Sequence, residues 1–266
     1  MIEKQVHTSL KQCLSELHLS AIRECYQEQS VVARQEVLSY ERYLLGLLQS
    51  ECSDRRDKRI TRFLRESRLP LEKTLTSFDR KRLPPKVNAQ LSAILDGSFL
   101  DRSENILAFG NPGSGKTHLL CAIGQELIQQ DRRVLFRPCN LLVQEMLMAK
   151  RDLKLPQFLK YLSRYDALIV DDIGYVQQNR EEMEVLFILF ADRYERGSVL
   201  ITSNLPFSKW ELIFKDPMTT AAAIDRLVHH SIILELNLSS YRLEHSQSAR
   251  KQEKKIERGG ENQAKE

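Results

Sequence analysis

Residues 109–124 read FGNPGSGKTHLLCAIG, and this stretch decides the fold class. Within it, Gly110, Asn111, Pro112, Gly113, Ser114, Gly115, Lys116 and Thr117 fit the pattern GxxxxGK[ST] at every fixed position. An apolar run precedes the pattern and an amphipathic stretch follows it, so it joins an expected strand to an expected helix. Glycines there let the backbone wrap closely round phosphates with its N–H groups turned inward. The following helix aims its positive end at the same point. Lys116 is then the compact cation for the β- and γ-phosphates of a nucleoside triphosphate, and the Thr117 hydroxyl is a ligand for Mg²⁺. The loop does not say what the triphosphate drives, so the rest of the chain has to.

Beyond Asp101, short apolar runs alternate with longer helical patterns. The runs are NILAFG, RVLFR, ALIVD, SVLITS and SIILEL, with helical patterns notably over 115–130 and 181–196. Such alternation predicts an α/β fold with a parallel sheet covered by helices on both faces. Asp171 closes the run ALIVD, at the strand end where α/β sheets place their sites, and suits Mg²⁺ coordination directly or through water. Asp172 points elsewhere and either orients the attacking water or caps the next turn. Asn204, at the end of SVLITSN, either hydrogen-bonds that water or the γ-phosphate, or starts a turn with Leu205 and Pro206. Arg226 precedes the last expected strand and Arg242 follows it. An arginine at either place is a surface ion pair or a charge for the γ-phosphate, and position alone leaves both open.

Upstream, residues 1–70 contain a single glycine, Gly46, and no proline before Pro70. Val37, Tyr40, Tyr43, Leu44, Leu47 and Leu48 recur at helical spacing, with Ser39 as a candidate cap. The segment RRDKRITRFLRESRLP follows as a strongly basic helix that Pro70 ends. From Arg55 to Lys86 there are twelve Lys/Arg against four Asp/Glu, whereas the whole chain is only +4. This asymmetry suggests an acidic polymer as partner, or else a solvated helix face. Pro84-Pro85 marks the stretch LEKTLTSFDRKRLPPK as a linker without regular structure.

With 266 residues, 42% hydrophobic and 29% charged, the chain can bury one α/β domain and a smaller one. No apolar run approaches the roughly 20 residues that span a bilayer, and no signal peptide is recognisable, so a cytoplasmic protein without membrane contact is expected. The five cysteines (Cys13, Cys25, Cys52, Cys121, Cys139) include no CxxC pair and read as buried or idle thiols. His229-His230 does not read as a metal pair, because neighbours on a helix diverge by about 100°. The stretch from Glu244 has one large apolar residue, Ile256, and is expected to be a disordered tail. The expected domains are 1–70, helical with a basic last helix; 71–100, a linker and the start of the ATPase module; 101–243, the ATPase domain; and 244–266, the charged tail.

In this order the motifs FGNPGSGKTHL, ALIVDDIGY, RYERGSVLITSNLPFSKW and AAAIDRLVHHSIILEL…SSYR, with the stretch TLTSFDRKRLP, resemble the IstB-like ATPases. These are P-loop proteins of the AAA+ class, near the DnaC-type helicase loaders, and the likeness covers most of residues 1–243. The resemblance implies that Gly110 to Thr117 form the Walker A loop and Asp171-Asp172 the Walker B pair. It implies Asn204 as first sensor, Arg226 as an arginine finger acting on a neighbouring subunit, Arg242 as second sensor, and Phe78-Asp79 near the adenine. It further implies a transposition helper that oligomerises with ATP on duplex DNA of little sequence preference and recruits or activates a transposase. Arg55, Arg56, Lys58, Arg59, Arg62, Arg65, Arg68, Lys150, Arg151 and Lys154 are the candidate DNA contacts. A replicative helicase loader of the DnaC type is the alternative. A small-molecule kinase would share the loop but leave the basic segment unexplained.

Overall fold

The computed structural model describes residues 2–175, 180–210, 217–238 and 240, so Arg242 and the expected tail lie outside the described residues. The chain divides into two compact units, Met1–Arg62 and Phe63–Glu266. The first is helical: α1 (Ile2–Glu16), α2 (Ser20–Gln35) and α3 (Tyr40–Ser67), the last carrying the division. Sequence patterning suggests two helices over the range of α3, but they are one. Gly46, at a cost of about 1 kcal/mol, is the one glycine of that range and there is no proline to stop the helix. Ser39 opens α3 as expected, its Oγ accepting the N–H of Arg42 at 3.3 Å.

A small core of Leu14, Ile22, Tyr26 and Leu47 holds this unit, with Leu19, Cys25 and Tyr43 packed against it. Leu19 precedes α2 without a side-chain cap. Buried Glu51 of α3 supplies the missing acceptor from a distance, taking the N–H groups of Ala21 and Ile22 at 2.9 and 3.2 Å. Arg55 pairs with the same carboxylate at 2.8 Å.

In the second unit, α4 (Pro85–Leu95) and α5 (Ser98–Asp101) precede the first strand. The Pro84-Pro85 pair therefore starts a helix instead of excluding one. Pro84 is the N-cap and Pro85 the first helical residue, where a missing N–H costs nothing. Among the described residues five strands follow: β1 (Asn105–Phe109), β2 (Val134–Pro138), β3 (Ala167–Asp171), β4 (Ser198–Ser203) and β5 (Ser231–Glu235). They pair in the order β2-β3-β4-β1-β5, all parallel. Between them run α6 (Lys116–Gln129), α7 (Cys139–Arg151), α8 (Leu155–Leu162), α9 (Arg180–Arg193) and α10 (Pro217–Val228).

Burial on both faces explains why the strands read as continuous apolar runs. Leu107, Leu135, Leu168, Val170, Val199 and Ile201 join residues of α7 and α9 in one core. The alternate residues face the other way, where α6 lies close against the sheet. A Cβ on Gly124 would stand 2.9 Å from Ile169 and 3.4 Å from Val134, so glycine sets that approach. Near the start of β4, Arg193 is buried, with 4% of the residue exposed. Its guanidinium donates to the carbonyls of Leu162, Tyr165, Asp166 and Ser198. Burial lowers its pKa to about 10, which still leaves it charged near neutrality.

The register aligns the other ends of the strands. Phe109 pairs with Ser203 and Val170 with Ile201, which sets Asp171 level with Thr202 and Gly110 level with Asn204. Since β1 lies between β4 and β5 while its successor β2 is at the far edge, a crevice opens at the carboxyl end of β1. Among the described residues no helix is long and apolar enough to cross a membrane.

Candidate functional site

The loop after β1 lies at this crevice and borders a cavity of about 260 Å³. Gly115 ends the loop in the left-handed region, φ 92°, and caps α6. A Cβ there would come within 3.1 Å of the Phe78 ring, so both its backbone angle and its neighbour require glycine. The first N–H groups of α6 have no partners within the helix and converge on an anion placed at the loop. Lys116 is buried and its ammonium donates to the carbonyls of Gly110 and Asn111, at 2.8 and 3.0 Å. Pro112, Gly113, Ser114, Gly115, Lys116 and Thr117 all line the cavity.

A helix and a neighbouring strand converge on one carboxylate at the end of β3. The Thr117 hydroxyl donates to Asp171 Oδ1 at 2.7 Å, and the Thr202 hydroxyl donates to the same oxygen at 2.7 Å. Thr202 Oγ1 in turn accepts the N–H of Asp172 at 2.8 Å. Asp172 stands in the left-handed region, φ 60°, and lines the cavity. A single buried hydroxyl on β4 thus holds both aspartates at the end of β3. Thr117 and Asp171 offer hard oxygen donors beside the phosphate loop, a set that fits Mg²⁺, which takes few protein ligands and keeps several waters.

Asn204 also lines the cavity, and its Oδ1 is buried without a hydrogen-bond partner among the described residues. Ser114 Oγ is in the same condition. Buried polar atoms rarely stay unpaired, so both are suited to a polar ligand or its water. Asn204 packs against Gly174, where a Cβ would overlap its Oδ1. Glycine at 174 is what admits the asparagine.

The opposite wall comes from the segment before α4. Lys73, Ser77, Phe78, Asp79 and Arg82 line the cavity, and Phe78 meets His118 edge-on with ring centres 5.2 Å apart. Asp79 accepts the N–H of Lys81 at 3.1 Å and so opens the short turn 80–82. Leu238 completes the lining, because Leu236 N–H donates to the Phe109 carbonyl at 2.7 Å and leads the chain past the loop. Of these residues, sequence patterning singles out none except Phe78 and Asp79, and those only through a family likeness. Nor does it find His118 or Thr202. The signals that could have found them are a histidine directly after GKT and a hydroxyl near the tip of an otherwise apolar strand.

Arg226, on α10, is not among the residues lining the cavity of its own chain. Its guanidinium donates to the Ala222 carbonyl at 3.0 Å and lies 4.8 Å over the Phe187 ring. The basic candidates stand on other surfaces. Arg55, Arg56, Lys58, Arg59, Arg62, Arg65 and Arg68 are exposed along and just beyond α3, as are Arg151 at the end of α7 and Lys154 after it. Lys150 pairs with Glu184 at 2.8 Å, Lys58 with Asp54 at 2.7 Å, and Arg68 with Glu145 at 3.9 Å. Cys121, beneath the site in α6, is fully buried, and burial pushes its thiol up to about 12, so it is inert.

Over residues 12–249 the sequence matches the family described as IstB-like ATP binding protein. An insertion sequence ATP-binding protein of Sinorhizobium fredii is 41% identical, over 93% of this chain and 85% of its own. The ATP-binding protein of insertion sequence IS21 from Pseudomonas aeruginosa is 38% identical, over 87% of this chain and 86% of its own. Among solved structures, AMPPCP-bound DnaA from Aquifex aeolicus is similar with a TM-score of 0.52 at 21% identity, over 65% of this chain and 52% of that one. The DnaC helicase loader is similar with a TM-score of 0.50 at 18% identity, over 56% of this chain and 88% of that one. Likeness at such identities speaks for the fold, a P-loop domain of the AAA+ type. The match over most of the chain, the whole-length relatives and the built phosphate loop agree: this chain belongs to the IstB-like ATP-binding protein family.

Proposed function

We propose that the protein is an ATP-hydrolysing helper of transposition that assembles on duplex DNA and recruits or activates a partner transposase. The observation that carries this reading is the whole-length similarity to ATP-binding proteins of insertion sequences. In the site, the loop 110–117 holds the triphosphate, Lys116 sits against its β- and γ-phosphates, and Thr117 with Asp171 holds Mg²⁺. The cation, when bound, neutralises charge on the β- and γ-oxygens. Asp172 orients the attacking water, and Asn204 bonds that water or the γ-phosphate. Arg242 acts as the second sensor. Phe78 takes the nucleoside end, and Arg226 reaches the γ-phosphate of a neighbouring subunit. That last assignment is supported by the place of Arg226 outside its own chain's cavity. Each site is then finished by the next subunit in a head-to-tail assembly, so ATP holds the assembly together and hydrolysis loosens it.

The DnaC-type loader reading shares the ATPase core but rests on fold likeness alone. Imaging the protein with ATP and duplex DNA separates the two. Ordered multimers on duplex DNA, absent with the Lys116→Ala variant, are the expected result. Assembly only with a hexameric helicase and single-stranded DNA would replace this reading with the loader.

A further inference from the structure

We propose that His118 is a positioning residue for the nucleoside half of the bound triphosphate, an inference that rests on the reading of the cavity as a nucleotide site. Lys116 and Thr117 turn toward the phosphate loop, and successive side chains on a helix are rotated by about 100°. His118 therefore leaves the loop and faces the segment before α4. Its Nε2 stands 3.0 Å from the Thr74 carbonyl and 3.1 Å from Ser77 Oγ. A carbonyl only accepts, so this nitrogen carries the proton and the tautomer is fixed by its partner. The same ring meets Phe78 edge-on, with centres 5.2 Å apart at 71°.

Seven residues on, two turns along the same helix face, Gln125 repeats the device. Its amide donates to the carbonyls of Lys73 at 3.0 Å and Pro70 at 3.3 Å. Ser77 closes the turn between these anchors, its Oγ accepting the N–H of Thr74 at 3.1 Å. The wall bearing Lys73, Ser77 and Phe78 is thereby tied to the helix that also carries Lys116 and Thr117. One helix fixes both ends of the cavity, and His118 is the tie that touches Phe78. The distance between phosphate end and nucleoside end is set before any ligand arrives, which lowers the ordering cost of binding a complete nucleotide. A bare phosphate chain has no nucleoside to set against Phe78.

The test compares dissociation constants for ATP and for inorganic tripolyphosphate, measured by calorimetry on the full chain. His118→Ala should weaken ATP about tenfold, the effect of one hydrogen bond and one ring contact, and leave tripolyphosphate within about twofold. His118→Gln, whose amide can reach the Thr74 carbonyl, should recover most of the loss. Equal weakening of both ligands, or no weakening of ATP, would overturn the assignment of His118. Wild-type protein binding neither ligand, or Lys116→Ala binding ATP as tightly as wild type, would instead overturn the nucleotide reading and this inference with it. Matched thermal unfolding of the variants keeps loss of fold apart from loss of recognition.

Discussion

Thr202 shows how much one side chain can determine. Its hydroxyl spends its proton on Asp171 and its lone pair on the N–H of Asp172, and the residue is fully buried. Thr202→Val keeps the shape and removes both bonds, leaving the half-buried Asp171 carboxylate with only one of its two hydroxyl donors, Thr117, and the Asp172 N–H without this acceptor, at about 1–3 kcal/mol. We expect ATP binding to survive within a few-fold, turnover to fall about tenfold or more, and Thr202→Ser to restore it. Steady-state kinetics beside direct nucleotide binding checks the split. A variant that lost binding and turnover together would point to general damage. Lys116 and Thr117 are legible in the sequence because a local turn brings their chemistry together. Thr202 is not, since its partner lies 31 residues away and only the register of β3 against β4 makes them neighbours. His118 hides for the same reason, with partners 41 and 44 residues upstream.

At the scale of elements, the three central strands, β3, β4 and β1, are legible because burial on both faces gives each a run of consecutive apolar residues. Two helical details are not. α3 runs through the point where its apolar stripe gives way to arginines, because a change of partners is not a helix stop. α4 begins on a proline, because the first helical residue has no bond to lose. The start of α2 gives a prediction of its own. Burial of Glu51 pushes its carboxyl up, but Arg55 and the N–H groups of Ile22 and Ala21 outweigh this and hold it below its ordinary 4.5. A lowered carboxyl contributes stability that is present above about pH 4.5 and lost as pH falls through the lowered value. Glu51→Ala should therefore cost about 1–2 kcal/mol near neutrality, as the loss of a charged cap does, and almost nothing in strong acid. Denaturant titrations of both proteins at the two pH values measure it, with faster amide exchange at Ala21 and Ile22 as the local sign. An undiminished difference in acid would show that packing, not charge, was lost.

For the whole molecule, the uneven charge and the place of Arg226 outside its own chain's cavity are what the proposed partners would explain. Arg55, Lys58, Arg59, Arg62 and Arg65 recur at three- and four-residue steps of α3, a stripe that suits a phosphate backbone. If these five basic groups each neutralise one phosphate, the logarithm of the DNA affinity should fall against the logarithm of salt with a slope of about −4.5. Binding indifferent to salt between low and moderate concentration would leave the stripe as a solvated face. On the proposed reading, the partner that finishes the site is a second copy of the chain, and mixing variants tests it. Arg226→Ala should keep nucleotide binding and lose hydrolysis by on the order of a thousandfold. Lys116→Ala should lose nucleotide binding but keep a working Arg226. Neither is active alone, yet where an Arg226→Ala subunit holding ATP meets a Lys116→Ala neighbour, one loop and one arginine complete a site. Hydrolysis should then return on mixing, rise with the fraction of mixed contacts, and vanish when the mixed protein carries both changes in every chain. An arginine acting within its own chain predicts no recovery at any ratio, because no subunit in the mixture holds both groups.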